Sequence, residues 1–189
     1  MKLHFNKKLS KIVVMRVKII NLRNNEQAFQ NAVLGSFDFS NYLSIFIEKR
    51  TGSLDSSEYT YSCQRKYLKY EKEDWVPEGC IAMSAPLRGC LKVGDEIEIQ
   101  EFVPTQEADI LEVDVLPAAN FKMAANREEY EKWFRQKFDS FMAFKNLELV
   151  SSDFGKRVLR SIIKRGSGLI TSNTRIVTYC SNGDLVFED

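Results

Sequence analysis

Apolar positions recur at two different spacings along this chain, and the change of spacing divides it. "RVKIINL" (16–22) and "NYLSIFIEK" (41–49) are short, β-branched or aromatic and alternating, the mark of strands buried on one face. "NNEQAFQNAVLGS" between them supplies turn residues around small apolar ones. "TGSLDSSEYT" is a polar surface loop, and "CQRKYLKYEK" returns to alternation with aromatic and basic residues. "GCIAM" is an apolar run short enough for a fully buried strand, whereas Pro86 in "APLRGCL" bars a central ladder position. A crossover or bulge is expected there, before "KVGDEIEIQEF" turns at Gly94-Asp95 and places Ile97 and Ile99 on one face. Residues 16–102 thus predict an all-β unit of several short strands, and closing them into a barrel is the economical way to hide the edges.

"VPTQEAD" interrupts the pattern with a proline and polar residues, which predicts a linker at 103–108. "ILEVDVL" then restarts alternation, with Leu111, Val113 and Val115 on one face and carboxylates on the other. In "ANREEYEKWFRQKFDSFM" the spacing becomes three and four: Tyr130, Trp133, Phe134, Phe138 and Phe141 form an apolar stripe on one main helix near 126–142. Asn126 is placed to cap its first turn, with Glu129 three residues on. Such a stripe is made to lie on a sheet, which "LEVDVL", "NLELV", "RVLRSIIK", "TRIVTY" and "DLVFED" would supply between turn-rich connections. The expected class is α+β and β-rich, with a second unit at 109–189. No internal repeat is visible.

Composition adds little to that picture, but charge order does. Hydrophobic residues make up 44% and charged residues 28% of 189, as in an ordinary soluble globular protein. The formal net charge of +1 conceals segregation: Met1 to Asn25 holds seven Lys or Arg and no acid, Phe154 to Arg175 holds six and no acid, and Asp95 to Asp114 carries eight carboxylates and no base. This order favours an electrostatically steered partner over a uniformly basic nucleic-acid surface. The first fifteen residues are too interrupted to span a bilayer and are expected to be a basic arm leading into a strand; Met15 is an alternative start.

Catalytic templates are missing. There is no phosphate-cradling glycine loop with its lysine, no nucleophile elbow and no HExxH, and the one histidine, His4, lies in the arm. Cys63, Cys80, Cys90 and Cys180 form no CxxC pair, so zinc lacks its close ligands, and free thiols are expected, with Cys80 and Cys90 in the core. The acidic clusters sit in turns or on a polar helical face. Tyr67 and Tyr70 lie three apart and so face opposite sides of a strand, which makes "QRKYLKYEK" a poor stacking platform for nucleic acid. The residues themselves predict a non-catalytic chain.

"VPEGCIAMSAPLRGCLKVGDEIEI" (76–99), with its VPxGCIAxSxPxR pattern, resembles the N-terminal domain of the N-ethylmaleimide-sensitive factor family, the vesicle-fusing AAA ATPases. "IINLRNNEQAFQNAVL" looks like that family's first barrel segment, "RKYLKY" like its KY-containing strand, and "LEVDVL" through "WFRQKF" like its second subdomain, so the similarity covers most of 16–187. The resemblance implies a double-psi β-barrel subdomain followed by a small α/β roll. It also implies binding of the soluble NSF attachment protein, SNAP, and through it of SNARE complexes. Disassembly of the SNAREs would then fall to ATPase rings outside this segment. ATP and Mg would belong to those rings and the parent would be a homo-hexamer. The location would be cytoplasmic and peripheral to Golgi and transport vesicles, touching membrane only indirectly, with no nucleic acid bound.

In that family the adaptor-binding surface is basic and lies around the groove between the subdomains. The arginine after the SxPx motif aligns with Arg88. Gly89 stands where a lysine commonly follows, Ala118 and Ala119 occupy a paired-lysine position, and Asn21 falls on an N-terminal arginine position, with Arg23 nearby. Arg23, Lys92, Lys122 and Arg127 lie closest in sequence to those positions and are the expected substitutes. Two other readings share the architecture: the N-domain of a valosin-containing-type segregase that recruits ubiquitin-linked cofactors, and a small-molecule enzyme on a double-psi barrel.

Overall fold

In the computed structural model, which describes residues 14–23, 30–51, 60–117, 123–154, 158–182 and 185–188, the alternating first half closes on itself. Most of the expected arm, the centre of the 51–60 loop, residues 24–29, and positions 118, 119 and 122 lie outside the described residues. The strands are β1 (Val14–Ile20), β2 (Val33–Gly35), β3 (Tyr42–Thr51), β4 (Thr60–Lys72), β5 (Cys80–Ala82) and β6 (Glu96–Glu101). They form a closed barrel in the order β1-β5-β2-β4-β3-β6. β1/β5 and β2/β4 are parallel and the other four pairs antiparallel. Exchanging β1, β2 and β3 with β4, β5 and β6 leaves every neighbour and every direction unchanged, so the barrel has a two-fold topology.

Period two decides which side chains enter it. Val17 and Ile19 on β1, Leu68 and Tyr70 on β4, and Ile97 and Ile99 on β6 are all at most 7% exposed. Each contributes on the order of 1.5–3 kcal/mol through burial. Tyr70 fills the interior and its hydroxyl donates to the carbonyl of Phe37 at 2.9 Å, whereas Tyr67 faces outward and stacks against Phe102, centroids 4.4 Å apart.

Residues 102–106 carry no regular structure, and the end of that stretch is tied down: Leu169 N–H donates to Gln106 at 2.9 Å and Ala108 N–H to Leu169 at 2.8 Å. Beyond it a four-stranded sheet runs in the order β10-β11-β7-β13. Its strands are β7 (Ile110–Pro117), β10 (Glu148–Ser151), β11 (Leu159–Arg165) and β13 (Arg175–Tyr179). Two small pairs accompany it: β8 (Met123–Asn126) with β14 (Leu185–Glu188), and β9 (Met142–Ala143) with β12 (Gly168–Leu169). Leu111, Val113 and Val115 of β7 are fully buried as the alternation predicts, but Asp114, expected on the solvated face, is only 1% exposed.

The main helix, α2 (Arg127–Lys137), starts where Asn126 accepts the N–H of Glu129 at 3.1 Å. It stops five residues short of the expected end at 142. Ser140 adopts φ 63°, its N–H donates to Ile170 at 2.9 Å, and Ile170 N–H returns to Phe141 at 2.8 Å. The last turn thus exchanges helical bonds for sheet-like ones. Phe138 remains buried beside Phe134 and Trp133 although it lies past the helix.

The second sheet lies against the barrel. The Asn31 side-chain amide donates to the carbonyl of Val150 at 2.8 Å and accepts its N–H at 2.9 Å, occupying the open edge of β10. The Tyr42 hydroxyl donates to the Ser140 carbonyl at 2.7 Å.

Candidate functional site

Where a crossover or bulge is expected after "GCIAM", the chain makes a four-residue helix, α1 (Ala85–Arg88). Ser84 enters it extended, and Pro86 fits because the first turn of a helix needs no N–H from it. Leu87, 2% exposed, plugs the barrel core, and α1 packs on β10 of the second sheet. The helix ends at Gly89, whose φ of 60° and ψ of −112° suit a residue without Cβ. Arg88 is therefore its last residue, half-buried at the junction of barrel and sheet. Its Nε is shielded from water and has no hydrogen-bond partner among the described residues.

Strand directions decide which expected residues join it. β1 and β5 are parallel, with Ile20 beside Ala82, so Arg23 and α1 leave the barrel at the same end. β6 is antiparallel to β1 and begins there, preceded by a turn in which Asp95 accepts the backbone N–H of Lys92 at 2.8 Å. Arg88, Lys92 and the Arg23 backbone thus share one barrel end. Arg23 lies over the Trp75 ring at 5.4 Å, and Lys92 is exposed and makes no ion pair among the described residues.

Arg127 lies elsewhere in the structure. It opens α2, reaches the Thr178 carbonyl of β13 at 3.5 Å and lies over Phe187 at 5.1 Å. β13 and β10 are opposite edges of the sheet, three strand spacings or about 14 Å apart. Lys122 lies outside the described residues.

Sequence proximity missed Lys66. On β4 it shares the inward phase of Leu68 and Tyr70 and sits opposite Ile45. Its ammonium is aimed into the barrel end and donates to the Leu87 carbonyl at 3.3 Å. Burial lowers its pKa, partly offset by the Cys90 thiol nearby. The signal was legible, since a lysine in phase with two apolar residues is a cation turned inward. Cys90, expected in the core, is exposed in the turn after α1; Cys80 and Cys180 are half-buried, and all three are free.

Cations also line the cleft of about 480 Å³ between β3, β4 and Ser140, but these have partners. Lys72 pairs with Asp38, and Lys69 lies 3.9 Å from Glu71 and 4.6 Å from the Phe141 centroid. The ammonium of Lys66 and the guanidinium of Arg88 face no carboxylate among the described residues. At this barrel end Arg88 and Lys92 stand beside the Asp95 turn. No protein-family model matches the chain, and no curated protein matches it in sequence.

Proposed function

We propose that this chain is the non-catalytic, adaptor-binding N-terminal domain of a vesicle-fusing AAA ATPase of the N-ethylmaleimide-sensitive factor type. Its barrel is of the double-psi kind and the unit after it a small α/β roll; the two-fold pairing pattern and the helix α2 beside a β10-β11-β7-β13 sheet support that assignment. The domain binds SNAP and through it SNARE complexes, and ATPase rings elsewhere in a hexameric parent, using ATP and Mg, disassemble them. It works in the cytoplasm at Golgi and vesicle surfaces without touching lipid itself.

The observation that carries this reading is Arg88: a guanidinium held at the barrel–sheet junction with, among the described residues, an unpartnered Nε and no ion pair. A rigid arginine fork recognises an acidic partner better than a flexible lysine. Lys92, exposed at the same barrel end, adds positive charge towards which such a partner is steered.

Binding of the purified chain to immobilised SNAP–SNARE complex tests this. Arg88→Glu weakens binding at least tenfold at low salt, because it sets a carboxylate against an acidic partner. The wild-type interaction also weakens as salt rises towards about 0.15 M and beyond. Unchanged binding by a folded Arg88→Glu chain, or no binding by the wild type, overturns the proposal.

A further inference from the structure

Arg88 ends a helix too short to hold itself. The four residues Ala85–Arg88 make a single turn, and one turn fixes many backbone angles for very few hydrogen bonds. The Arg88 Nε is shielded from water and finds no acceptor among the described residues, so no bond there directs the guanidinium. Its direction depends on the backbone it hangs from. That backbone is held at each group around Arg88: its N–H donates to Ser84 at 3.1 Å, its carbonyl accepts the Leu91 N–H at 3.2 Å, and the Gly89 N–H donates to Ala85 at 3.1 Å. Leu87, 2% exposed, fixes the turn from below.

The Leu87 carbonyl takes its hydrogen bond from outside the turn. Helix ends leave carbonyls without N–H partners, and a cation placed there meets both the spare acceptor and the partial negative charge gathered at that end. Lys66 is that cation. Its Nζ donates to the Leu87 carbonyl at 3.3 Å and stands 3.2 Å from the point where a Cβ on Gly89 would lie. One contact therefore restrains the residue before Arg88 and the other bounds the space beside the residue after it. Because Lys66 pairs with Ile45 in the middle of β4, the anchor belongs to the barrel wall and not to a loop.

We infer that Lys66 is a positioning residue for Arg88: it ties the last turn of α1 to the barrel wall and so holds the guanidinium in the direction in which it meets the adaptor. That Arg88 meets an adaptor rests on the function proposed above; the tie from β4 to α1 does not. A fork fixed before contact loses less freedom on binding, and the gain appears as slower dissociation.

Two measurements test the tie and its use separately. Nitrogen relaxation of the Arg88 Nε–Hε group in the labelled chain reports its mobility. Lys66→Met keeps the apolar stem and deletes the donor; it lowers the order parameter of that group from near the rigid value of about 0.85 to below about 0.6. The melting temperature stays equal to the wild type or rises, since a desolvated charge has been removed. Equal order in both chains overturns the tie. So does a variant in which the Leu68 and Tyr70 amides also lose protection from hydrogen exchange, because Lys66 would then support the barrel at large. In the second measurement, Lys66→Met speeds dissociation from SNAP–SNARE complex about two- to tenfold. It leaves the salt dependence of association as in the wild type, and it has little effect in a chain that already carries Arg88→Gln. Equal weakening with and without Arg88→Gln, or a flatter salt dependence of association, shows Lys66 meeting the partner itself and overturns the positioning role. If the wild type does not bind the complex, the proposed function fails, and the relaxation measurement still decides the tie.

Discussion

Asp114 of β7 receives the Ser181 N–H at 2.9 Å and its hydroxyl at 2.6 Å, and Lys164 stands 3.2 Å away. Burial by itself would raise this carboxyl, but the two Ser181 bonds and the Lys164 charge outweigh it and hold the pKa below the ordinary 3.8. The unfolded chain therefore takes up this proton at higher pH than the folded one. The stability it contributes is complete above the ordinary carboxylate range and drains away as pH falls below about 4. Asp114→Asn is expected to cost about 2 kcal/mol at pH 7 and progressively less towards pH 3. Urea unfolding of both chains at the two pH values checks this, and curves that stay equally far apart at acid pH contradict it. Alternation had assigned Asp114 to solvent because period two reports only a face, not what folds over that face. The nearby Cys180 thiol is pushed up to about 11, chiefly by burial and then by Asp114.

At the scale of elements, α1 and the end of α2 show where pattern reading stops. Pro86 correctly marked the end of a strand, but the chain answered with one helical turn, because Leu87 has a barrel end to fill. Gly89 ends that turn in a conformation costly for other residues, and a Cβ there would press on Lys66 at 3.2 Å. Gly89→Ala should cost about 1–3 kcal/mol, read as a lower denaturation midpoint; a midpoint equal to wild type would mean the turn relaxes freely. In α2 the Asn126 cap was legible because its partner is three residues away. The stop was not, because Ile170, which takes the Ser140 N–H, is thirty residues further along.

Across the whole molecule, one side-chain amide helps to hold barrel and sheet together. The Asn31 side chain meets both backbone groups of Val150 on an edge strand. Asn31→Ala leaves that N–H and C=O without these bonds, at an expected cost of about 3 kcal/mol. Hydrogen exchange at the Val150 amide should accelerate far more than at Leu68 inside the barrel; equal protection in both chains would show that the link carries no stability. The barrel's two-fold pairing is likewise a property of the whole. Its halves share no visible repeat, since each position demands only an apolar residue in the right phase.

Strands, their inward faces, the main helix and its cap follow from the sequence itself, because each depends on residues within a few positions of one another. Closure of six strands into a barrel was foreseeable as the way to hide edges, but their order was not. The candidate site divides in the same way. Arg88 is marked by a local motif, whereas the bond from Lys66 on β4 to the Leu87 carbonyl of α1, and the separation of Arg88 from Arg127, arise only when strand order and direction place distant residues.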